Sequence, residues 1–336
     1  MLGPRPLALG VLLSLALVVV YAHGVAFDKF PLANGIPNDT KPLNDWPVIG
    51  IMAQPYKGGS DPHFKQYIAA SYVKWIESAG GRVVPIDYYI TKETADKLIP
   101  NLNGILWPGG GADFNPNHAY VMDLVIKLNK QGIYMPMWGT CMGFQFLTMY
   151  FTQNNKILIP TQSYNISYPL IFEPEAYEAR LIQAVGPQAT LWMADPNKNV
   201  TLNNHHWSLA VSDFRRYMGK NFRLISTNFD DNGVEFVSTW ESKDFPVYAV
   251  QWHPEKNNFE HDRDPQTGLP YEQIPHTMEA VRVSQALANF FVDEARKCPN
   301  KFADWKLEQK LLIKNYQVYV TGPGFEQSYL FNAFNM

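Results

Sequence analysis

Cysteine is scarce: Cys141 and Cys298 are the only two in 336 residues. A disulfide framework is therefore excluded as the source of stability, and 46% hydrophobic residues, with 14% aromatic, supply the core instead. The count permits one bridge, Cys141 to Cys298. It is disfavoured because Cys298 follows a terminal helix, whereas Cys141 sits in a turn after an apolar strand. No run of lysine and arginine occurs, and 28 basic against 31 acidic residues leave a formal charge of -3. Without a basic footprint for phosphates, nucleic acid is excluded as a partner. Internal repeats, low-complexity stretches and Gly/Ser linkers are also missing, so a single large domain is the simplest organisation.

The apolar stretch from Leu7 to Val20 is short for a membrane span. Arg5 before it and Tyr21-Ala22-His23-Gly24 after it give residues 1–24 the form of a secretory signal, whose removal leaves no stable membrane anchor. Acceptor triplets begin at Asn38, Asn165 and Asn199 and agree with export. They predict surface loops, at least one of them glycosylated. Residues 25–45 form an N-terminal segment before the main domain.

From Trp46 onward short apolar runs alternate with longer amphipathic ones, the pattern of an α/β domain with a mainly parallel sheet flanked by helices. Strands are predicted at 48–51, 82–85, 104–107 and 247–250. Helices are predicted at 68–78, 91–98, 120–129, 144–151 and 277–296, the second opened by a capping pattern at Thr91. Between 153 and 242 the pattern loosens into a β-rich part, with strands at 222–225 and 234–238. Polar residues 255–275 read as a surface loop, and 299–336 as a tail with an extended segment at 317–320.

Three motifs carry chemistry. Trp138-Gly139-Thr140-Cys141-Met142-Gly143 is a small-residue turn after the apolar run 133–137, the way a nucleophile is raised on a strand-to-helix elbow. Gly104-Ile105-Leu106-Trp107-Pro108-Gly109-Gly110-Gly111 is a buried strand entering a glycine loop, able to bring backbone N–H groups to a developing oxyanion. Gln251-Trp252-His253-Pro254-Glu255 closes an apolar strand with an imidazole and, two residues on, a carboxylate. Cys141 is the candidate nucleophile and His253 the base and then the acid. Glu255 orients His253 if the strand continues through Pro254, which itself favours a bend.

In this order the three motifs resemble the class I glutamine amidotransferase-like superfamily. Within it the run from Tyr67 to Gly80, the cysteine elbow and His205-His206-Trp207-Ser208-Leu209 resemble the gamma-glutamyl hydrolase family, over about Trp46 to Lys297. The resemblance implies a flavodoxin-like class I glutamine amidotransferase architecture with its catalytic domain at 46–298. It further implies an oxyanion hole from the Met142 and Gly110 N–H groups, and substrate contacts from Tyr67, His205 and Gln251, with His206 as the neighbouring alternative to His205. One position departs from the pattern: Gln145 stands four residues after the nucleophile, where a glutamate is expected, and can offer only neutral hydrogen bonds.

The implied activity is cysteine-dependent hydrolysis of the γ-glutamyl isopeptide bonds of folate poly-γ-glutamates, in the lysosome or outside the cell. No metal or organic cofactor is implied, and a homodimer is left open. Two alternatives compete: a glutaminase feeding ammonia to a partner synthetase, against which the signal stretch argues, and a secreted binding protein of the same fold with impaired catalysis, for which Gln145 is the sole support.

Overall fold

The computed structural model describes residues 44–56 and 64–332; the signal stretch, most of the segment after it and Asn38 lie outside the described residues. Its main sheet has eight strands. Five are parallel, in the spatial order Arg82–Ile86, Val48–Met52, Gly104–Trp107, Met137–Thr140 and Val247–Val250. Counted along the chain, that order is second, first, third, fourth, fifth, the flavodoxin-like order that the resemblance implies. Three antiparallel strands extend the sheet beyond Val247–Val250: Glu235–Ser242, Phe222–Phe229 and Ile171–Phe172.

The parallel strands are continuous apolar runs because both sheet faces are covered. Alternation sends neighbours to opposite layers: Met137 joins Trp107, Val125 and Leu147, whereas Trp138 joins Trp75, Tyr248 and Phe291. The Trp75 and Trp138 rings lie 5.3 Å apart. The helix Met278–Arg296, capped by the Thr277 side chain, buries Val283, Leu287 and Phe291 on that face. The expected cap at Thr91 is also formed, its hydroxyl accepting the Thr94 N–H.

Four segments depart from the sequence reading. The helix expected from residue 68 begins at Ala70, because Gln66–Ala69 is a strand paired with Gln327–Phe331. That partner is some 260 residues away and leaves no local signal. The β-rich part contains a helix, Arg180–Ala194, whose period is interrupted at Gly186 (φ 80°) and Pro187. The loop at 255–275 starts inside the protein: Glu255, Lys256 and Asn257 are buried, and Lys256 is paired with Glu272. Finally, the C-terminal segment folds back as a helix, Trp305–Leu311, and the strands Val318–Val320 and Gln327–Phe331. These strands complete a four-stranded sheet with Gln66–Ala69 and Gln54–Pro55.

Of the described sequons, Asn199 is exposed, just after the turn at 196–198. Asn165 is not in a loop. It lies within the strand Leu158–Tyr168, half-buried, and its side-chain oxygen accepts the Gln273 N–H at 2.6 Å.

Candidate active site

All three chemical motifs leave the carboxyl ends of parallel strands, where open α/β sheets place their sites. Cys141 follows Met137–Thr140, the glycine loop follows Gly104–Trp107, and His253 follows Val247–Val250. Cys141 has φ 51° and ψ -106° and opens the helix Met142–Thr152. A side chain held there costs about 1–3 kcal/mol. The turn is fixed by the Cys141 N–H on the Val250 carbonyl at 2.9 Å and the Gln145 N–H on the Cys141 carbonyl at 3.0 Å.

The flanking glycines serve packing. A Cβ on Gly143 would stand 2.0 Å from the Trp107 carbonyl oxygen, and one on Gly139 would stand 2.7 Å from the Gly143 backbone. The strain belongs to Cys141 itself, and the glycines let strand, elbow and helix close on one another.

His253 is buried, with its backbone N–H on the Leu202 carbonyl at 2.9 Å. Its Nδ1 donates to Glu255 Oε1 at 2.7 Å, so Pro254 does not turn the carboxylate away. Burial, the largest influence, disfavours the imidazolium, yet the Glu255 carboxylate and the Cys141 sulfur outweigh it and push the His253 pKa up to about 10. Hydrogen bonding to both groups adds to the rise. The sulfur also lies 3.9 Å from the Asn204 carbonyl.

The glycine loop lies over this pair: a Cβ on Gly109 would be 2.6 Å from His253 Cε1 and 3.2 Å from Cys141 Cβ. Gly109 gives its N–H to the Tyr72 hydroxyl at 2.7 Å, and its carbonyl accepts from the Gln54 side-chain amide. The Ala112 N–H reaches Met142 Sδ at 3.0 Å, tying the loop to the helix start. The Gly109 N–H is thus taken within the protein. Met142 stands at the first position of the helix that Cys141 opens.

The expected substrate residues fare unequally. Tyr67 borders a cavity of about 310 Å³ with Gln54, Gly111, Ala112, Pro323 and Phe325. Its hydroxyl donates to Gln54 Oε1 at 3.3 Å, and burial pushes its pKa up to about 12. Gln251 is fully buried, and neither polar atom of its side chain has a hydrogen-bond partner among the described residues. An unpaired buried amide costs about 1–3 kcal/mol.

His205 is engaged on both ring nitrogens, Nδ1 with Thr161 Oγ1 at 3.0 Å and Nε2 with Asn203 Oδ1 at 3.2 Å. Burial lowers its pKa to about 3. A substrate carboxylate therefore finds no free donor on it. His206, on the opposite face of the strand, is exposed and stacks on Tyr164. Gln145 does not hang free: its Nε2 donates to the Trp207 carbonyl at 2.7 Å.

Gln54 and Tyr72 were not legible as site residues. Gln54 stands just beyond the carboxyl end of Val48–Met52, a position that marks it in hindsight, whereas Tyr72 lies inside a buried helix face like any packing residue.

This sheet order with a cysteine elbow and a histidine–glutamate pair defines a class, and the family model described as Glutamine amidotransferase class-I matches residues 65–267. Gamma-glutamyl hydrolase B of Dictyostelium discoideum is 36% identical over 302 residues, covering 87% of this chain and 84% of its own. Gamma-glutamyl hydrolase of Homo sapiens is 36% identical over 297 residues, 85% of this chain and 90% of its own. Probable gamma-glutamyl hydrolase 3 of Arabidopsis thaliana is 32% identical over 308 residues, 86% of this chain and 85% of its own. The chain belongs to the gamma-glutamyl hydrolase family within the class I glutamine amidotransferases.

Proposed function

We propose that the protein hydrolyses γ-glutamyl bonds of folate poly-γ-glutamates through a thioester on Cys141. The observation that carries the mechanism is the juxtaposition of the strained Cys141 elbow with a buried, carboxylate-paired His253. Cys141 passes its proton to His253, and the sulfur attacks the γ-carbonyl carbon. The carbonyl oxygen gathers negative charge facing the Met142 and Gly110 N–H groups. When the C–N bond breaks, His253 gives its proton to the leaving amine. Water then attacks the thioester, His253 takes its proton, and the sulfur leaves with the product acid released. Glu255 holds the imidazole with Nδ1 protonated throughout, leaving Nε2 for the transfers.

Each γ-linked residue carries a free α-carboxylate, so the substrate presents acceptors at regular intervals. The Gln251 amide is the donor proposed to meet them, and Tyr67 is proposed to line the pocket, its hydroxyl proton being held by Gln54 Oε1. The signal stretch and the sequons support a lysosomal or extracellular location. Among the described residues no helix is long and apolar enough to cross a membrane.

The test is a ladder of pteroyl-poly-γ-glutamates digested alongside free glutamine and α-linked diglutamate. The reading predicts shortened γ-linked chains and no turnover of the other two. Release of ammonia from glutamine at a comparable kcat/KM would instead favour a glutaminase.

A further inference from the structure

Gly109, whose carbonyl shares a peptide with the Gly110 N–H, is held from two sides by side chains outside the catalytic set. Tyr72, on the helix Ala70–Ser78, accepts the Gly109 N–H at 2.7 Å, and its hydroxyl lies 3.5 Å from His253 Nδ1. Gln54 donates through Nε2 to the Gly109 carbonyl. The fit is tight, since a Cβ on Gly110 (φ 154°) would come within 1.8 Å of Gln54 Oε1. Gln54 is in turn steadied by the Tyr67 hydroxyl on that same oxygen, and both Gln54 and Tyr72 are buried.

A trans peptide points its C=O and the following N–H in opposite directions. Fixing the Gly109 carbonyl on Gln54 therefore fixes the Gly110 N–H away from Gln54. Fixing the Gly109 N–H on Tyr72 sets the preceding peptide and holds the loop beside His253 and Cys141. A glycine triplet has the greatest backbone freedom of any sequence, and left alone it would sample many orientations of this donor.

We propose that Gln54 and Tyr72 are positioning residues that clamp Gly109 and thereby preorganise the Gly110 N–H for the transition-state oxyanion. The inference rests on the cysteine mechanism given above. It assigns the clamp no contact with substrate and no proton transfer.

Two substitutions test it with little change of shape: Gln54→Met, which removes the amide, and Tyr72→Phe, which removes one oxygen. In full-length enzyme each should lower kcat on a γ-linked diglutamyl substrate by about 10- to 100-fold, the scale of a misplaced or lost oxyanion donor, with KM changed less than about threefold. Gln54→Met should leave the rate of Cys141 alkylation by iodoacetamide unchanged, because that displacement develops no carbonyl oxyanion. The same variant should weaken a γ-glutamyl aldehyde, which forms an oxyanion-like adduct on Cys141, in proportion to its loss of kcat. Folded variants that keep wild-type kcat and wild-type aldehyde affinity would overturn the clamp. So would equal losses in turnover and alkylation by Gln54→Met, which would mean that the sulfur, not the oxyanion loop, had been disturbed. Cys141→Ala, run alongside, separates the two ideas: if it abolishes turnover while the clamp variants are unimpaired, only the clamp fails, whereas turnover without the sulfur sinks the mechanism and the clamp together.

Discussion

His253 Nδ1 and Glu255 Oε1 stand 2.7 Å apart, both buried, across the single residue Pro254. A proline in a strand-end turn keeps the two side chains on one side, and the carboxylate counters the burial that would otherwise strip the imidazole of its proton.

Glu255→Gln should therefore lower kcat/KM by about 10- to 100-fold, the factor given by loss of a charge-assisted hydrogen bond. The stability effect has a defined sign. Because the folded pKa of His253 is raised from 6.5 to about 10, its protonated form contributes fully below its ordinary pKa, and that contribution is lost as pH rises through about 10. The Tm gap between wild type and variant should be widest near pH 6 and narrow towards pH 10. Thermal melts across that range check it, and a gap independent of pH would contradict the pairing.

Gln145 is bonded to the Trp207 carbonyl, so a glutamate at this position sets an acceptor against an acceptor. Gln145→Glu should destabilise by about 0.5–1.5 kcal/mol at neutral pH, the net worth of one hydrogen bond that solvent can reach. The protonated acid can donate to Trp207, so the folded state favours the neutral carboxyl. The penalty should shrink as pH falls through the carboxyl range, which melts in acid and neutral buffer will read. A variant as stable as wild type at neutral pH would show that the Trp207 contact contributes nothing.

His205 is held neutral with its pKa lowered to about 3. The unfolded chain binds its proton near 6.5, so this group withdraws stability as pH falls from 6.5 towards 3. His205→Gln should cost stability at neutral pH through lost bonds to Thr161 and Asn203, yet show a drop in Tm on acidification smaller than wild type by roughly 2–4 °C. Identical acid sensitivity in both proteins would contradict the buried neutral assignment.

The parallel sheet, the elbow and the His253–Glu255 pair were legible because each is written in a short stretch: an apolar run, then glycines or a proline at a strand end. The pairing of Gln66–Ala69 with the C-terminal strand was not, because register between segments so distant is set by tertiary packing. The helix broken at Gly186 and Pro187 hid behind its own interruption. Gln54 and Tyr72 act on backbone atoms of Gly109, and a sequence does not show which side chain a glycine's peptide groups will meet. His205 illustrates the reverse. Its motif drew attention, whereas Thr161 and Asn203, which take both nitrogens, decide its chemistry.

The most direct test of the account is acid-quenched mass spectrometry of enzyme mixed with a folate poly-γ-glutamate, mapped to the peptide containing Cys141. An acyl adduct on Cys141 is predicted early in turnover, unaltered by Cys298→Ala, since Cys298 is buried beneath the Leu102 carbonyl, away from the elbow. Cys141→Ala should show neither adduct nor turnover. Hydrolysis of the γ-linked substrate by Cys141→Ala above a no-enzyme control would contradict the assignment of the nucleophile.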